Sequence, residues 1–232
     1  MKTVVVMPAY RAAATVESTV RALPGAFDQI ILCDDASPDN TVVISEGLGI
    51  TTLRHAVNRG YGGNQKTLYS YALKQGADVV VMVHPDNQYS TKNVPEMVHK
   101  LRSGRVDMVL GTRMKNARQN GMPVWKWLAN RGLTIMQNMV YGTHLSEFHT
   151  GLRAYRTELL RQMPFNEFSE DFVFDSQVIA WTLAHDYKID EVDTNCYYGG
   201  DVSSINFRRS LKYGLHTLGV LRWYRRMRSR SI

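Results

Sequence analysis

Cysteine is nearly absent: Cys33 and Cys196 are the only two in 232 residues, with no C-x-x-C spacing. That excludes a disulfide framework and points to a reducing compartment. Long apolar runs are missing too. No window approaches the ~18 apolar residues of a membrane-spanning helix. The opening Met1–Pro8 is too short before its proline for a secretory signal and reads as a first strand. The expectation is a chain that is soluble or peripheral to a membrane. Neither G-x-G-x-x-G nor G-x-x-x-x-G-K-[ST] occurs, so a dinucleotide fold and a Walker-type phosphate loop are unsupported.

Acidic residues are absent from Phe207–Ile232, which holds Arg208, Arg209, Lys212, Arg222, Arg225, Arg226, Arg228 and Arg230. The whole chain carries +7 and this segment +8, so residues 1–206 sum to −1. A basic tail on a near-neutral body argues against a nucleic-acid binder, whose cations are more often spread over the body. With 44% hydrophobic and 21% charged residues the chain is neither disordered nor collagen-like.

What is present is an alternation of short apolar runs with helical stretches, the pattern of βαβ units and a largely parallel sheet. Strands are expected at Thr3–Met7, Gln29–Cys33, Thr51–Arg54, Val79–Val83, Met108–Leu110 and Ile189–Val192. Helices are expected at Thr15–Leu23, Thr41–Leu48, Gly63–Gln75, Val94–Ser103, Val124–Tyr141 and Phe172–His185, with a short element near Leu152–Tyr155 and a tail helix from about Ile205. Thr112–Pro123, polar and basic, reads as a loop.

Four stretches carry chemistry. Strand one ends in Met7-Pro8-Ala9-Tyr10, where Pro8 is expected to force the chain out of the ladder. Strand two empties into Asp34 and Asp35 before a Ser-Pro-Asp-Asn turn. These carboxylates either accept from a ligand's N–H or hydroxyl or serve only the turn and helix cap. Asn58-Arg59-Gly60-Tyr61-Gly62-Gly63 opens a helix, as an anion cradle or as a plain flexible turn. After Val79–Val83 come His84, Asp86 and Gln88; an extended chain puts all three on one face, a donor set suited to Mn²⁺ or Mg²⁺. The plainer alternative is that His84 caps the strand and only Asp86 is exposed.

Taken in this order, these stretches resemble the family 2 glycosyltransferases of GT-A fold, and among them the polyprenyl (dolichol)-phosphate sugar transferases. Met7–Tyr10 is similar to "P-A-Y-N-E", Asp34–Thr41 to "D-D-G-S-x-D-x-T", and Asn58-Arg59-Gly60 with Gly63 to the "N-x-G" turn. His84–Tyr89 falls where the family has "D-A-D-x-Q", Gly111-Thr112-Arg113 resembles "G-S-R", and Thr150–Ala154 resembles "S-G-F-R-A". The resemblance runs over about residues 3–206. It implies that Pro8, Tyr10, Asp34, Asp35, Asn58 and Gly63 line a nucleotide pocket. It also implies that Asp86 and Gln88, with His84, hold a divalent cation on the diphosphate, and that Arg113 reaches a phosphate. Two departures stand out: Arg11-Ala12-Ala13-Ala14 replaces the family's Asn-Glu-Glu, and His84 replaces the first metal-motif Asp.

In the second half, Asp171 or Glu170 is the candidate general base for a sugar-hydroxyl acceptor, or else the pair is a solvated helix start. A lipid-phosphate acceptor needs no base, only charge neutralisation by Arg113, Arg131 or Arg153 and the metal. The tail repeats Phe207, Leu211, Leu215, Leu218 and Leu221 at helical spacing, with Arg208, Arg209, Lys212 and Arg226 on another face. Such a helix either binds a membrane surface, with Tyr197-Tyr198 and Trp223-Tyr224 at headgroup level, or packs its leucines on the globule.

The expectation is therefore a GT-A domain over 1–206, with a nucleotide-sugar and metal half (about 1–110) and an acceptor half (111–206), followed by a basic amphipathic helix over 207–232. It would transfer a sugar from a UDP- or GDP-sugar to polyprenyl phosphate, with inversion, at the inner, cytoplasmic face of the membrane. Transfer to a sugar hydroxyl in glycan synthesis and a non-catalytic nucleotide-sugar-binding module are the alternatives.

Overall fold

A computed structural model describes residues 1–25, 27–197 and 207–229, with the backbone alone for 207–213. One seven-stranded sheet runs through the protein. β1 (Thr3–Ala9) lies near its middle, all seven residues buried. β2 (Gln29–Asp34) and β3 (Thr51–Arg54) extend it on one side, and β4 (Val79–Met82) flanks β1 on the other, all parallel. β5 (Met108–Thr112) and β7 (Ile189–Asp193) pair in parallel at the far edge. β6 (Arg153–Arg156) inserts antiparallel between β4 and β5, giving the order β3-β2-β1-β4-β6-β5-β7.

Alternation along β1 explains why both faces need helices. Val4 and Val6 pack with Leu68 and Tyr69 of α3 (Gly60–Lys74). Val5 and Met7 pack with Val16 of α1 (Val16–Ala22) and Met97 of α4 (Val94–Arg102). A strand covered on both faces reads as an unbroken apolar run, as Val4-Val5-Val6-Met7 does. The α1 face also carries α2 (Thr41–Gly47), and the α3 face carries α5 (Val124–Tyr141), α6 (Thr157–Gln162) and α7 (Phe174–Ala184).

One expectation is revised and two are made specific. β1 continues through Pro8 to Ala9, because at that end it pairs with β2 (Pro8 opposite Cys33), beyond the last β4 partner at Val6. The short element at 152–155 is β6, whose buried Arg153 disguises it in the sequence. The Thr112–Pro123 stretch folds on itself, closing Met114, Ala117 and Met122 over Trp127.

The tail forms α8 (Phe207–Arg228). Thr217, Val220, Leu221 and Tyr224 are buried, with Tyr224 edge-on to Tyr141 of α5 at 4.7 Å and Trp223 edge-on to Phe168 at 5.6 Å. Leu221, Trp223 and Tyr224 thus join the globule, and the expectation of Trp223-Tyr224 as headgroup anchors is corrected. Leu215 and Leu218 stay outside, 60% and 39% exposed. The side chains of Phe207, Arg208, Arg209, Leu211 and Lys212, and Tyr198, lie outside the described residues. Among the described residues no helix is long and apolar enough to cross a membrane.

Candidate active site

The chain runs outward from β1 to β2 and β3, then returns to the other flank of β1 as β4. Ligands of open α/β sheets lie beyond the carboxyl ends of strands at such a reversal. Tyr10 follows β1, Asp34 and Asp35 lie at the end of β2, Asn58 follows β3 and His84–Gln88 follows β4, so these residues emerge on one rim. Pro8 is buried one step below it, and Tyr10 is half exposed with Arg11 against its ring.

The two adjacent aspartates differ. Asp34 is fully buried; its Oδ2 accepts from the Ser37 amide at 2.9 Å, while its Oδ1 is sealed from solvent without a hydrogen bond. An unpaired buried acceptor costs about 1–3 kcal/mol, so this oxygen is one that a donor would satisfy. Asp35 is already satisfied. Its Oδ1 accepts from His55 Nδ1 at 2.7 Å and the Arg59 amide at 2.8 Å, and its Oδ2 accepts from the Gly60 amide at 2.9 Å. Asn58 completes the knot, donating to the Asp35 carbonyl at 3.0 Å and accepting from the Gly60 amide at 3.1 Å. Asp35 therefore serves the N-terminus of α3, where a carboxylate meets the positive end of the helix dipole.

The glycines do not cradle an anion. The Gly62 and Gly63 amides donate to the Glu170 carbonyl at 2.8 and 3.3 Å. A Cβ on Gly62 would overlap the Ser169 carbonyl oxygen, and one on Gly60, at φ +81°, would come within 2.7 Å of the Glu170 oxygen. The nucleotide-binding expectation for Gly63 is corrected: the helix start is filled by the chain's second half.

After β4 the backbone turns rather than staying extended, with Asn87 left-handed at φ +57°. Asp86 Oδ1 accepts from the Gln88 amide at 3.0 Å, and Asn87 bonds Ser18 Oγ and Thr19 Oγ1 at 2.6 and 2.7 Å. The expected one-face alternation of His84, Asp86 and Gln88 is corrected, since asparagine tolerates the left-handed turn that breaks it. Among the described residues no group of three His, Cys, Asp or Glu side chains converges for a metal. What remains is a half-buried carboxylate whose Oδ2 makes no hydrogen bond among the described residues, beside His84. Burial pushes the His84 imidazole down towards its neutral form, against the pull of Asp86 and Asp175. Carboxylate, neutral imidazole and the Gln88 amide fit a divalent cation in kind, Mn²⁺ better than Mg²⁺.

On the other side, Arg113 is clamped by buried Glu147: its Nε donates to Oε1 at 2.8 Å, its amide to Oε2 at 3.0 Å, and its Nη2 to the His149 carbonyl at 2.7 Å. Asn130 Nδ2 donates to the same carboxylate at 2.8 Å. Arg131 is exposed on α5, 5.7 Å from the Trp127 ring centre. Arg153 is 1% exposed, paired with Asp175 at 3.1 Å and donating to the Thr150 carbonyl at 2.9 Å. Its expected role on an acceptor phosphate is corrected: the guanidinium is walled in and committed. Glu170 pairs with Arg59 at 3.0 Å, and exposed Asp171 accepts from the Phe172 amide at 2.7 Å.

The Glycosyl transferase family 2 profile matches residues 4–163. The chain belongs to that family. This family 2 glycosyltransferase is 29% identical over 197 residues to an uncharacterized protein of Methanocaldococcus jannaschii (84% of this chain, 81% of that one). It is 26% identical to the UDP-N-acetylglucosamine–dolichyl-phosphate N-acetylglucosaminyltransferase of Methanococcus voltae, covering 67% and 70% of the two chains. It is 25% identical to the undecaprenyl-phosphate mannosyltransferase of Micrococcus luteus, with 69% of each covered. Glucosyl-3-phosphoglycerate synthase from Mycobacterium tuberculosis, solved with Mn²⁺ and UDP, shares the GT-A fold at TM-score 0.70 and 19% identity, over 96% of this chain and 79% of that one.

Sequence reasoning on this glycosyltransferase passed over Tyr61, His55 and Gln65, which join the site to its frame. Tyr61 Oη lies 3.1 Å from His84 Nε2 and 2.9 Å from Asp175 Oδ2, and Gln65 Nε2 donates to Asp175 Oδ1 at 3.0 Å. One signal was available: Gln65, four residues after Tyr61, lies on the same helical face, a polar residue turned to the core.

Proposed function

We propose that this glycosyltransferase moves a sugar from a nucleotide-sugar, UDP- or GDP-linked, to the phosphate of a polyprenyl phosphate, inverting the anomeric centre by direct displacement. The observation that carries the reading is the rim at the carboxyl ends of β2, β1 and β4: a buried Asp34 oxygen in want of a donor at the end of β2, and after β4 an Asp86 carboxylate whose Oδ2 makes no hydrogen bond among the described residues. Asp34 would take an N–H or hydroxyl of the nucleoside, and Asp86 with His84 and Gln88 would hold a divalent cation. When bound, that ion supplies positive charge to the diphosphate leaving group. The relatives in M. voltae and M. luteus are named for dolichyl and undecaprenyl phosphate acceptors, which supports the acceptor class. A phosphate monoester with a second pKa of ~6 is already mostly a dianion at neutral pH and attacks without a base, so Asp171 is left free of a catalytic role.

A lipid surface suits two helices that carry no acid. Along α5, Val124, Leu128, Ile135 and Met139 follow one face and are exposed, Met139 to 73%. Lys126 sits 5.5 Å from the Trp125 ring centre at its start. On α8 the exposed Leu215 and Leu218 are accompanied by exposed Arg222, Arg225 and Arg226. Apolar side chains rimmed by cations and the exposed Trp125 fit an anionic bilayer surface, as an enzyme on the inner leaflet requires.

Screening UDP- and GDP-sugars with Mn²⁺ against a short polyprenyl phosphate tests the reading. Formation of a polyprenyl-phosphate sugar of inverted configuration is expected, with Asp171→Asn retaining the rate within a few-fold. Transfer only to sugar hydroxyls, lost in Asp171→Asn, would replace it with the glycan-synthesis alternative. Nucleotide binding without turnover would leave a binding module.

A further inference from the structure

Tyr61 stands between the two halves of the site. Its ring stacks on His84 (centroids 5.5 Å apart, 7° between planes) and on Phe172 (5.0 Å, 25°). Its oxygen reaches Asp175 Oδ2 at 2.9 Å and His84 Nε2 at 3.1 Å. The other Asp175 oxygen is held by Arg153 at 3.1 Å and by Gln65 at 3.0 Å. A carboxylate bound by a guanidinium and an amide donor has only lone pairs to offer. The single phenolic proton must therefore point at Asp175. Towards His84 the phenol oxygen then presents lone pairs alone, and the hydrogen in that bond has to come from Nε2.

A neutral imidazole carries one N–H. With it on Nε2, Nδ1 is left with a free lone pair. Nδ1 makes no hydrogen bond among the described residues. It lies across the ring from the Nε2–Cδ2 edge that packs on Gly151, where a Cβ would come within 2.8 and 2.7 Å of those two atoms. The ring is thus fixed by a stack, a hydrogen bond and a glycine that leaves it room.

We propose that Tyr61, anchored by Asp175, is a positioning residue that holds His84 in its Nε2–H tautomer, so that Nδ1 offers its lone pair to a divalent cation shared with Asp86. This rests on the cation reading of Asp86 above. The imidazole is thereby pre-set as a ligand instead of being left to choose between two tautomers. The partner that orients a metal-binding histidine typically contributes 10–100-fold to metal affinity.

The test uses the full chain without any sugar donor. Long-range ¹H–¹⁵N correlation spectra, with His84→Gln to assign the signal, are expected to show Nε2 protonated and Nδ1 bare in the wild type. Tyr61→Phe keeps the ring stacks and removes only the hydroxyl. It is expected to mix the tautomers and weaken Mn²⁺ binding, read by the electron paramagnetic resonance of free Mn²⁺, by about tenfold or more. A wild-type His84 protonated on Nδ1, or a Tyr61→Phe chain with unchanged tautomer and Mn²⁺ affinity, overturns the proposal. Failure of the underlying cation reading looks different: the wild type and Asp86→Asn then bind Mn²⁺ equally poorly, and the proposal falls with it.

Discussion

Replacing Gly62 by alanine sets two effects of opposite sign against each other. In an open helix interior the change stabilises by about 0.5–1 kcal/mol, because alanine has less backbone freedom to lose. At Gly62 the new methyl would overlap the Ser169 carbonyl and lie 2.9 Å from Phe174 Cβ. Both neighbours are backbone or Cβ atoms that cannot swing aside, so the 169–170 segment must lift. Overpacking of this kind costs about 1–3 kcal/mol. Lifting the segment also weakens the Gly62 and Gly63 bonds to Glu170, at roughly 1 kcal/mol each. The net is a loss of about 2–4 kcal/mol, and at 2–4 °C per kcal/mol for a chain of this size the melting temperature should drop by roughly 5–15 °C. Gly132, in the middle of α5 with open space where its Cβ would stand, is the internal control and should gain stability as alanine. Thermal unfolding followed by circular dichroism compares the three chains. If Gly62→Ala melts at or above the wild type while Gly132→Ala rises, the close docking of Glu170 on α3 is not what holds this part of the molecule.

Asp86→Asn removes the charge but keeps the shape, and should lower transfer at least 100-fold while abolishing the response to added Mn²⁺, measured by product formation across a metal titration. Changing exposed Arg222, Arg225 and Arg226 together to glutamine should weaken partition onto anionic vesicles by about 100-fold, at ~1 kcal/mol per cation, with little change on neutral vesicles; co-sedimentation reads both. Burial pushes His149 down to about 4, against the pull of Glu147. The unfolded chain therefore binds a proton at this site that the folded chain refuses. The associated stability is complete above about 6.5, and is lost as the pH falls through about 4. Melting temperatures should fall over that window, and more gently in His149→Gln.

The parallel core was legible because strands buried on both faces are unbroken runs of Val, Ile and Leu, and no tertiary information is needed to see them. β6 was not, since two of its four residues are arginines. Arg153 is tolerable there only because Asp175, 22 positions later, meets it, and nothing local announces that. The Asp34-Asp35 pair was legible as a pair but not as two roles. Neighbours on a strand point to opposite faces, so one carboxylate turns to the α3 start and the other under the rim, and only the register tells which. Leu215, Leu218 and Leu221 likewise follow one helical period in the sequence. The structure divides them: Leu221 meets the core while the other two stay outside.

Several of the contacts between the first and second parts of this enzyme converge on the first turn and a half of α3. Gly62 and Gly63 hold the Glu170 carbonyl, Tyr61 and Gln65 hold Asp175, and Arg59 pairs with Glu170. The same turn is capped from below by Asp35 and reaches His84 through Tyr61. A departure of the Ser169–Asp175 segment would therefore strip the imidazole of its orienting partner, and a shift of the imidazole would act on the residues next to Asp171. Coupling here requires no moving domain, because β6 from the second half already lies between β4 and β5 in the same sheet. What distinguishes this arrangement from a flexible glycine loop is that the glycines admit packed backbone at van der Waals distance. Their effect is to remove freedom from the site, and substitutions among them should disturb the His84 side and the Ser169–Asp175 side together.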